Sequence, residues 1–164
     1  MLTDAYISVL EALKHAAWSS KLKVEVEWLN PEKFETDPKL VAKELKPLDG
    51  ILVPGGFGSR GIEGKMLAIR YAREHKLPYL GLCYGLQLAT IEVARHLLGY
   101  KQANTTEINP TTPEPIIHLI DEQTERLKNK DYGGTMRLGT YKCVLRKGTL
   151  ARKLYGQEII EERH

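Results

Sequence analysis

The sequence has no apolar run approaching the roughly 18 residues of a membrane-spanning helix, and Asp4 and Glu11 interrupt its N-terminal apolar pattern, unlike a secretory signal. Cysteine is scarce. Cys83 and Cys143 cannot make the disulfide framework of a small secreted domain, so a reducing compartment is the default. An excess of either charge is also missing: 24 basic against 21 acidic residues leave +3, spread along the chain. Neither nucleic acid nor an anionic membrane is called for as a partner. There is no phosphate-cradling G-x-x-x-x-G-K-[ST] string, no internal repeat, no low-complexity tract and no interdomain linker. The expectation is a soluble, cytoplasmic protein whose residues 1–164 form a single domain, long enough to bury about two-thirds of its extended surface.

What is present centres on Gly81-Leu82-Cys83-Tyr84-Gly85-Leu86-Gln87, with strand material before the cysteine and a helix-forming run after it. A G-x-C-x-G string suits a sharp strand-to-helix turn, because the flanking glycines remove Cβ atoms that would collide there. The thiol is then left at the tip, at a helix N-terminus whose dipoles and free N–H groups favour thiolate over thiol. Taken alone, the heptapeptide suits a buried structural cysteine equally well. One strand–helix unit earlier, Asp49 to Val53 leads into Pro54-Gly55-Gly56-Phe57-Gly58-Ser59-Arg60-Gly61. Acyl transfer at an amide carbon develops a negative oxygen, usually held by two backbone N–H groups. Tyr84 would supply one and the Gly55-Gly56 loop the other.

Along the chain, Asp4 is expected to cap an amphipathic helix carrying Tyr6, Val9, Leu10, Leu13, Ala16 and Ala17 at helical spacing. Lys23 to Leu29 alternates like a strand away from the sheet centre. Asp37-Pro38 opens a short helix through Leu45. Ile51-Leu52-Val53 and Pro78 to Leu82 read as parallel strands, the first covered on both faces. Between them a helix from about Gly61 to Glu74 offers Met66, Leu67, Ile69 and Tyr71 inward and its basic residues outward. The helix after the elbow is expected to pack Leu86, Ala89, Thr90, Val93 and Leu97, with Gly99 beyond its end. Asn104 to Pro115 reads as a polar loop, Ile116 to Ile120 as a strand and Asp121 to Asp131 as a charged connection. Met136 to Leu145 suggests an antiparallel strand or hairpin, and Thr149 to Tyr155 a helix closed by Gly156. The fold class is α/β, a doubly wound, mainly parallel open sheet with an antiparallel extension. Both glycine loops then lie at the C-terminal edge of the sheet, where such sheets bind ligands.

A cysteine hydrolase needs a histidine base near the sulfur, oriented by a carboxylate. The five histidines do not supply an obvious one. His15 and His75 come late in helices, His96 sits where a helix end favours a cation, His118 lies in an apolar strand, and His164 is the last residue. An ordinary structural role suits each of the first four better.

The loop Pro54 to Gly61 with the elbow Gly81 to Gln87 resembles the class I glutamine amidotransferases, and within them the glutaminase domain of CTP synthases. Leu2-Thr3-Asp4-Ala5-Tyr6, Ser8-Val9, Glu11 to His15, Ala103 to Glu107, Gly133-Gly134-Thr135-Met136-Arg137-Leu138-Gly139 and Glu162-Arg163-His164 are similar to that family too. The resemblance implies that Cys83 attacks the side-chain amide of L-glutamine through a thioester, with Gly56 and Tyr84 holding the oxyanion. It implies that Gln87 and Glu107 contact the amino-acid end of the substrate, Glu107 suiting the ammonium. It also implies that Phe57 and Arg60 face a ligase-domain junction linked to GTP activation. No cofactor is expected in this domain; ATP, Mg and allosteric GTP are implied for a full-length enzyme, a homo-oligomer whose ligase domain aminates UTP to CTP. The family's late His-Pro-Glu or His-x-Glu segment has no match, nor has its first β-strand. The chain is therefore expected to lack both pieces and to turn over little glutamine alone. The alternative is a non-catalytic glutaminase-like module for binding or assembly.

Overall fold

The computed structural model describes residues 3–118 and 139–163. They fall into two compact units, 1–118 and 119–164.

In the first unit the chain opens with a 3-10 turn, Thr3–Tyr6, that runs into helix α1, Ile7–Ser19. Tyr6, rather than Asp4, occupies the N-cap position, and α1 buries none of its residues: Ile7 and Trp18 are both largely exposed. The expected strand over Lys23 to Leu29 does not form a ladder. Alternation creates a face but not a hydrogen-bonding neighbour, and among the described residues no strand lies alongside; Trp28 instead meets the Tyr6 ring at 6.0 Å between centroids.

Two short helices follow. Asn30 caps α2, Pro31–Thr36, by accepting from the Glu32 N–H at 3.1 Å, with Pro31 in the first turn. This helix was missed, although Asn-Pro-Glu is a start signal of the same kind as Asp37-Pro38. Asp37 accepts from the Lys39 N–H at the head of α3, Lys39–Leu45, one residue later than expected.

Strand β1, Ile51–Val53, pairs in parallel with β2, Tyr79–Gly81, in the register Ile51↔Tyr79 and Val53↔Gly81. Helix α4, Ile62–His75, crosses between them and divides the core. Ile62, Met66 and Ile69 join Val53, Tyr84, Leu88, Ile91, Ala94 and Ala103 on one side; Ala68 joins Phe34, Val41 and Leu45 on the other. Cover on both faces, expected for β1, is partial: Val53 is buried, while Ile51 and Leu52 are half buried. In β2, Leu80 remains half exposed.

Helix α5, Tyr84–His96, starts at the elbow, and Gly99 beyond it has φ +82°. The face it buries is not the one expected. Tyr84, Leu88, Ile91, Glu92 and Ala94 turn inward, whereas Leu86, Val93 and Leu97 are exposed. The reason is electrostatic as well as apolar. Glu92 has no exposed surface, and its carboxylate receives a two-pronged bond from the Arg73 guanidinium of α4 at 2.8 and 2.9 Å, with His96 Nδ1 3.2 Å away. Arg73 is therefore half buried, against the expectation that the basic residues of α4 face solvent. That pair fixes the rotation of α5 against α4.

After α5 come β3, Ala103–Thr105, and β4, Glu114–Ile117, paired in parallel with an irregularity after Asn104. The expected loop from Asn104 therefore conceals a strand. Its alternation is too brief to show in a polar sequence; Ala103 and Thr105 are buried, and the Arg95 side chain donates to the Ala103 carbonyl. His118 lies just past β4.

The second unit is an antiparallel pair, β5 over Thr140–Val144 and β6 over Ile159–Arg163, flanking helix α6, Leu150–Tyr155. Thr149 caps α6 through its hydroxyl and Gly156 closes it at φ +69°. Arg152 ties the connection together, donating to the Leu145 carbonyl and pairing with Glu158. The expected connection over 121–131 and the family-like string over 133–138 lie outside the described residues. No helix among the described residues is long and apolar enough to cross a membrane.

Two stability outcomes follow. Replacing Arg73 by Met strands the Glu92 carboxylate without surface exposure, a change that typically costs about 3–5 kcal/mol. Urea unfolding is expected to show Arg73→Met losing more than Glu92→Gln. Gly85→Ala places a Cβ inside the contact radius of the Val53 carbonyl oxygen and against the Val53 carbonyl carbon. The backbone cannot yield there cheaply, so a loss of about 3 kcal/mol is expected in the same assay.

Candidate functional site

Cys83 holds φ +50° and ψ −106°, outside the regions a side-chain-bearing residue prefers, and caps the N-terminus of α5. The close approaches around it explain how so tight a bend is held. A Cβ on Gly81 would come within 2.7 Å of the Gly85 carbonyl carbon and the Leu86 nitrogen, and Gly85 lies hard against Val53 of β1. Strand and helix meet backbone to backbone, which only glycine allows. From β2, the half-buried Tyr79 donates through its hydroxyl to the Gly85 carbonyl at 2.7 Å, and burial pushes its phenol well above the usual tyrosine range. The sulfur-bearing residue itself is exposed. The elbow is thus formed, and the alternative of a buried structural cysteine does not apply.

The glycine loop after β1 comes to the elbow as expected. A Cβ on Gly55 would lie 3.5 Å from Cys83 Cβ, and one on Gly56 4.0 Å from the Tyr84 ring. Among the described residues neither the Gly56 N–H nor the Tyr84 N–H has an acceptor. Two main-chain N–H groups without an acceptor thus belong to the two segments that meet at the Cys83 elbow.

Glu107 is brought to the same place. It follows β3, its own N–H bonded to the Thr105 hydroxyl, and its Oε1 accepts from the Gly58 N–H at 3.2 Å. The Tyr84 hydroxyl donates to the Gly58 carbonyl at 2.6 Å. Burial first, and the Glu107 charge second, push this phenol up to about 12. The protonated, donating form therefore prevails below the ordinary value of 10.0 and is lost only as pH rises toward 12. Lys65 Nζ lies 5.4 Å over the same ring, and burial lowers its ammonium against the attraction of Glu35. Gln87, half buried, is one turn into α5 with its N–H on the Cys83 carbonyl.

Other expected residues lie elsewhere. Phe57 is almost fully exposed at the loop tip, and Arg60 forms a two-pronged bond to Glu32 at 2.7 Å, holding that carboxyl below its usual range. His15 rests against Trp18, His75 stacks on Tyr71 at 3.9 Å, and His96 is occupied by Glu92. Among the described residues no histidine hydrogen-bonds Cys83. His164 is outside them. No cluster of three or more histidine, cysteine, aspartate or glutamate side chains fit for a metal occurs among the described residues, and no phosphate-cradling string is present. The tyrosines Tyr6, Tyr79 and Tyr84 were not foreseen as side chains of the site. Only the position of Tyr84 beside the cysteine could have suggested it.

Comparison with known proteins agrees with this geometry. A model of the family described as glutamine amidotransferase class-I matches residues 1–164. A CTP synthase of Geobacillus kaustophilus is 54% identical over 163 residues and one of Pyrococcus furiosus 51% over 164, each match covering 99% of this chain. The chain spans only 30% and 29% of those relatives' lengths. The glutaminase domain of Trypanosoma brucei CTPS with bound acivicin superimposes with a TM-score of 0.84 at 31% identity, covering 98% of this chain and 60% of that one. With a family model spanning every residue, a relative of half-identical sequence along nearly the whole length, and an elbow of the expected form, the chain belongs to the class-I glutamine amidotransferase family.

Proposed function

We propose that this chain is the glutaminase part of a CTP synthase, with Cys83 as the nucleophile. The observation that carries the reading is the exposed thiol at a positive-φ bend, flanked by two main-chain N–H groups without acceptors. In the proposed reaction the Cys83 sulfur attacks the side-chain amide carbon of glutamine. The carbon–sulfur bond forms, and the carbonyl electron pair moves to the oxygen, held by the Gly56 and Tyr84 N–H groups. Collapse expels the amide nitrogen, which leaves as ammonia after taking a proton. Water then releases glutamate from the thioester. Glu107 receives the α-ammonium of the substrate on the oxygen that Gly58 does not use, and Gln87 lies one turn along α5 for the other end. Ammonia would pass to a ligase domain that aminates UTP at the expense of ATP with Mg, and Phe57 with Arg60 would face that domain and its GTP. The complete enzyme would assemble as a homo-oligomer in the cytoplasm.

One observation favours a second reading, a glutaminase-like module kept for assembly. Among the described residues Cys83 has no histidine bonded to it, and no His-Pro-Glu or His-x-Glu occurs in the sequence.

Trapping separates the two. A glutamine-like diazoketone is expected to alkylate Cys83 and spare Cys143, with glutamine protecting and Cys83→Ala abolishing the adduct in mass spectra of the digested protein. Labelling no faster than that of a free cysteine peptide would instead establish the module. Glu107→Gln is expected to weaken protection by glutamine roughly tenfold or more, as loss of a charged hydrogen-bond partner does.

A further inference from the structure

The Gly55–Gly58 loop leaves the ladder at Val53, and among the described residues no main-chain hydrogen bond to another backbone group is made from Pro54 to Gly58. It contains three glycines in four positions, the residue type with most backbone freedom to lose. Such a segment cannot hold an N–H in place by itself, yet an oxyanion donor works only if it is fixed before the charge develops. Among the described residues, the polar groups that hold this stretch are side chains. The Tyr84 hydroxyl grips the Gly58 carbonyl at 2.6 Å, Glu107 takes the Gly58 N–H at 3.2 Å, and the half-buried Tyr6 hydroxyl reaches the Gly55 carbonyl at 3.4 Å.

We infer that the Tyr84 side chain is a positioning group for the oxyanion loop. Its hydroxyl pins Gly58 while its ring underlies Gly56, so the residue that offers one N–H donor also fixes the other. The inference rests on the glutaminase reading of Cys83. The placement of Tyr84 explains why one residue can do both. It is the first residue of α5 beside the elbow, and its side chain is buried with its hydroxyl on the Gly58 carbonyl of the loop. Tyr6 acts on the same peptide run from the opposite end. In a trans peptide the carbonyl of Gly55 and the N–H of Gly56 share a plane and point opposite ways. Holding that carbonyl therefore sets the direction of the Gly56 N–H. The tyrosines touch neither the amide nor the sulfur; they act through the loop.

The test uses an aldehyde analogue of glutamine, with CHO in place of the carboxamide, and needs no turnover. The Cys83 thiol adds across the C=O: the carbon–sulfur bond forms, the π pair goes to oxygen, and the thiol proton ends on that oxygen or in water. The adduct's oxygen sits where the oxyanion would. Binding of the aldehyde and of L-glutamate, which has the same amino-acid end but forms no adduct, is measured by calorimetry on the full chain. Tyr84→Phe is expected to weaken the aldehyde about ten- to a hundredfold, somewhat less than outright loss of one oxyanion donor, with L-glutamate within about twofold of wild type. Tyr6→Phe is expected to give the same split with a smaller loss. Equal weakening of both ligands, or of neither, by Tyr84→Phe overturns the inference while leaving the glutaminase reading intact. A wild-type chain that forms no aldehyde adduct overturns that reading as well. Should Tyr84→Phe fail to fold, Tyr6→Phe decides, because it alters a half-buried hydroxyl outside the core.

Discussion

Everything in the site depends on one backbone constraint, the bend that holds Cys83 at φ +50°. A side-chain-bearing residue pays a few kcal/mol for such a conformation and keeps it only where its surroundings leave no alternative. Here the surroundings are Gly81 and Gly85, packed so closely that strand β2, helix α5 and strand β1 touch through their backbones. Cys83 is left exposed at that turn. The two unpaired N–H groups beside it follow from the same geometry, one because α5 begins there and the other because β1 ends there.

The rest of unit 1 serves to keep those backbones together. Helix α4 lies between two apolar clusters and carries Arg73, whose bond to Glu92 sets the rotation of α5. Rotation matters because the first turn of α5 is the elbow. Tyr79 fastens that turn to β2, and Tyr84 fastens the glycine loop to the turn. A recurring device is visible: the carbonyls of Gly55, Gly58 and Gly85 around the elbow each accept from a tyrosine hydroxyl. Hydroxyls donating to carbonyls suit this task, since they restrain a flexible segment without placing a charge beside the thiol. Glu107 brings a carboxylate to the same loop, bonded to the Gly58 N–H.

Much of the site was legible in the sequence. The elbow, the glycine loop one unit earlier and the parallel pairing of their strands all emerged as expected, as did α6 between Thr149 and Gly156. The errors share a cause. Lys23 to Leu29 alternates convincingly, but a strand is a relation between two segments and no described segment takes the second part. Leu86, Ala89, Thr90, Val93 and Leu97 make a reasonable apolar stripe, yet Leu88 and Ile91 offer another, and the buried Glu92 chose between them. Strand β3 was hidden because Ala103, Asn104 and Thr105 carry no hydrophobic signal; burial of Ala103 and Thr105 comes from packing.

By itself the sequence determined the local backbone devices: glycines two residues either side of Cys83, the Asp37-Pro38 opening of a helix, the glycine past Tyr155. These act through steric exclusions and hydrogen bonds within a few residues, so their effect travels with the letters. Only the tertiary structure decided which side of α5 is buried, that Arg73 and Glu92 meet, and that Tyr6, Tyr84 and Glu107 converge on one loop. Gly58 and Glu107 are 49 residues apart, as are Tyr6 and Gly55. Contacts over such spans form only when α4, α5 and the strands have packed, because side-chain polarity states what a group can bond but not which partner will come within reach.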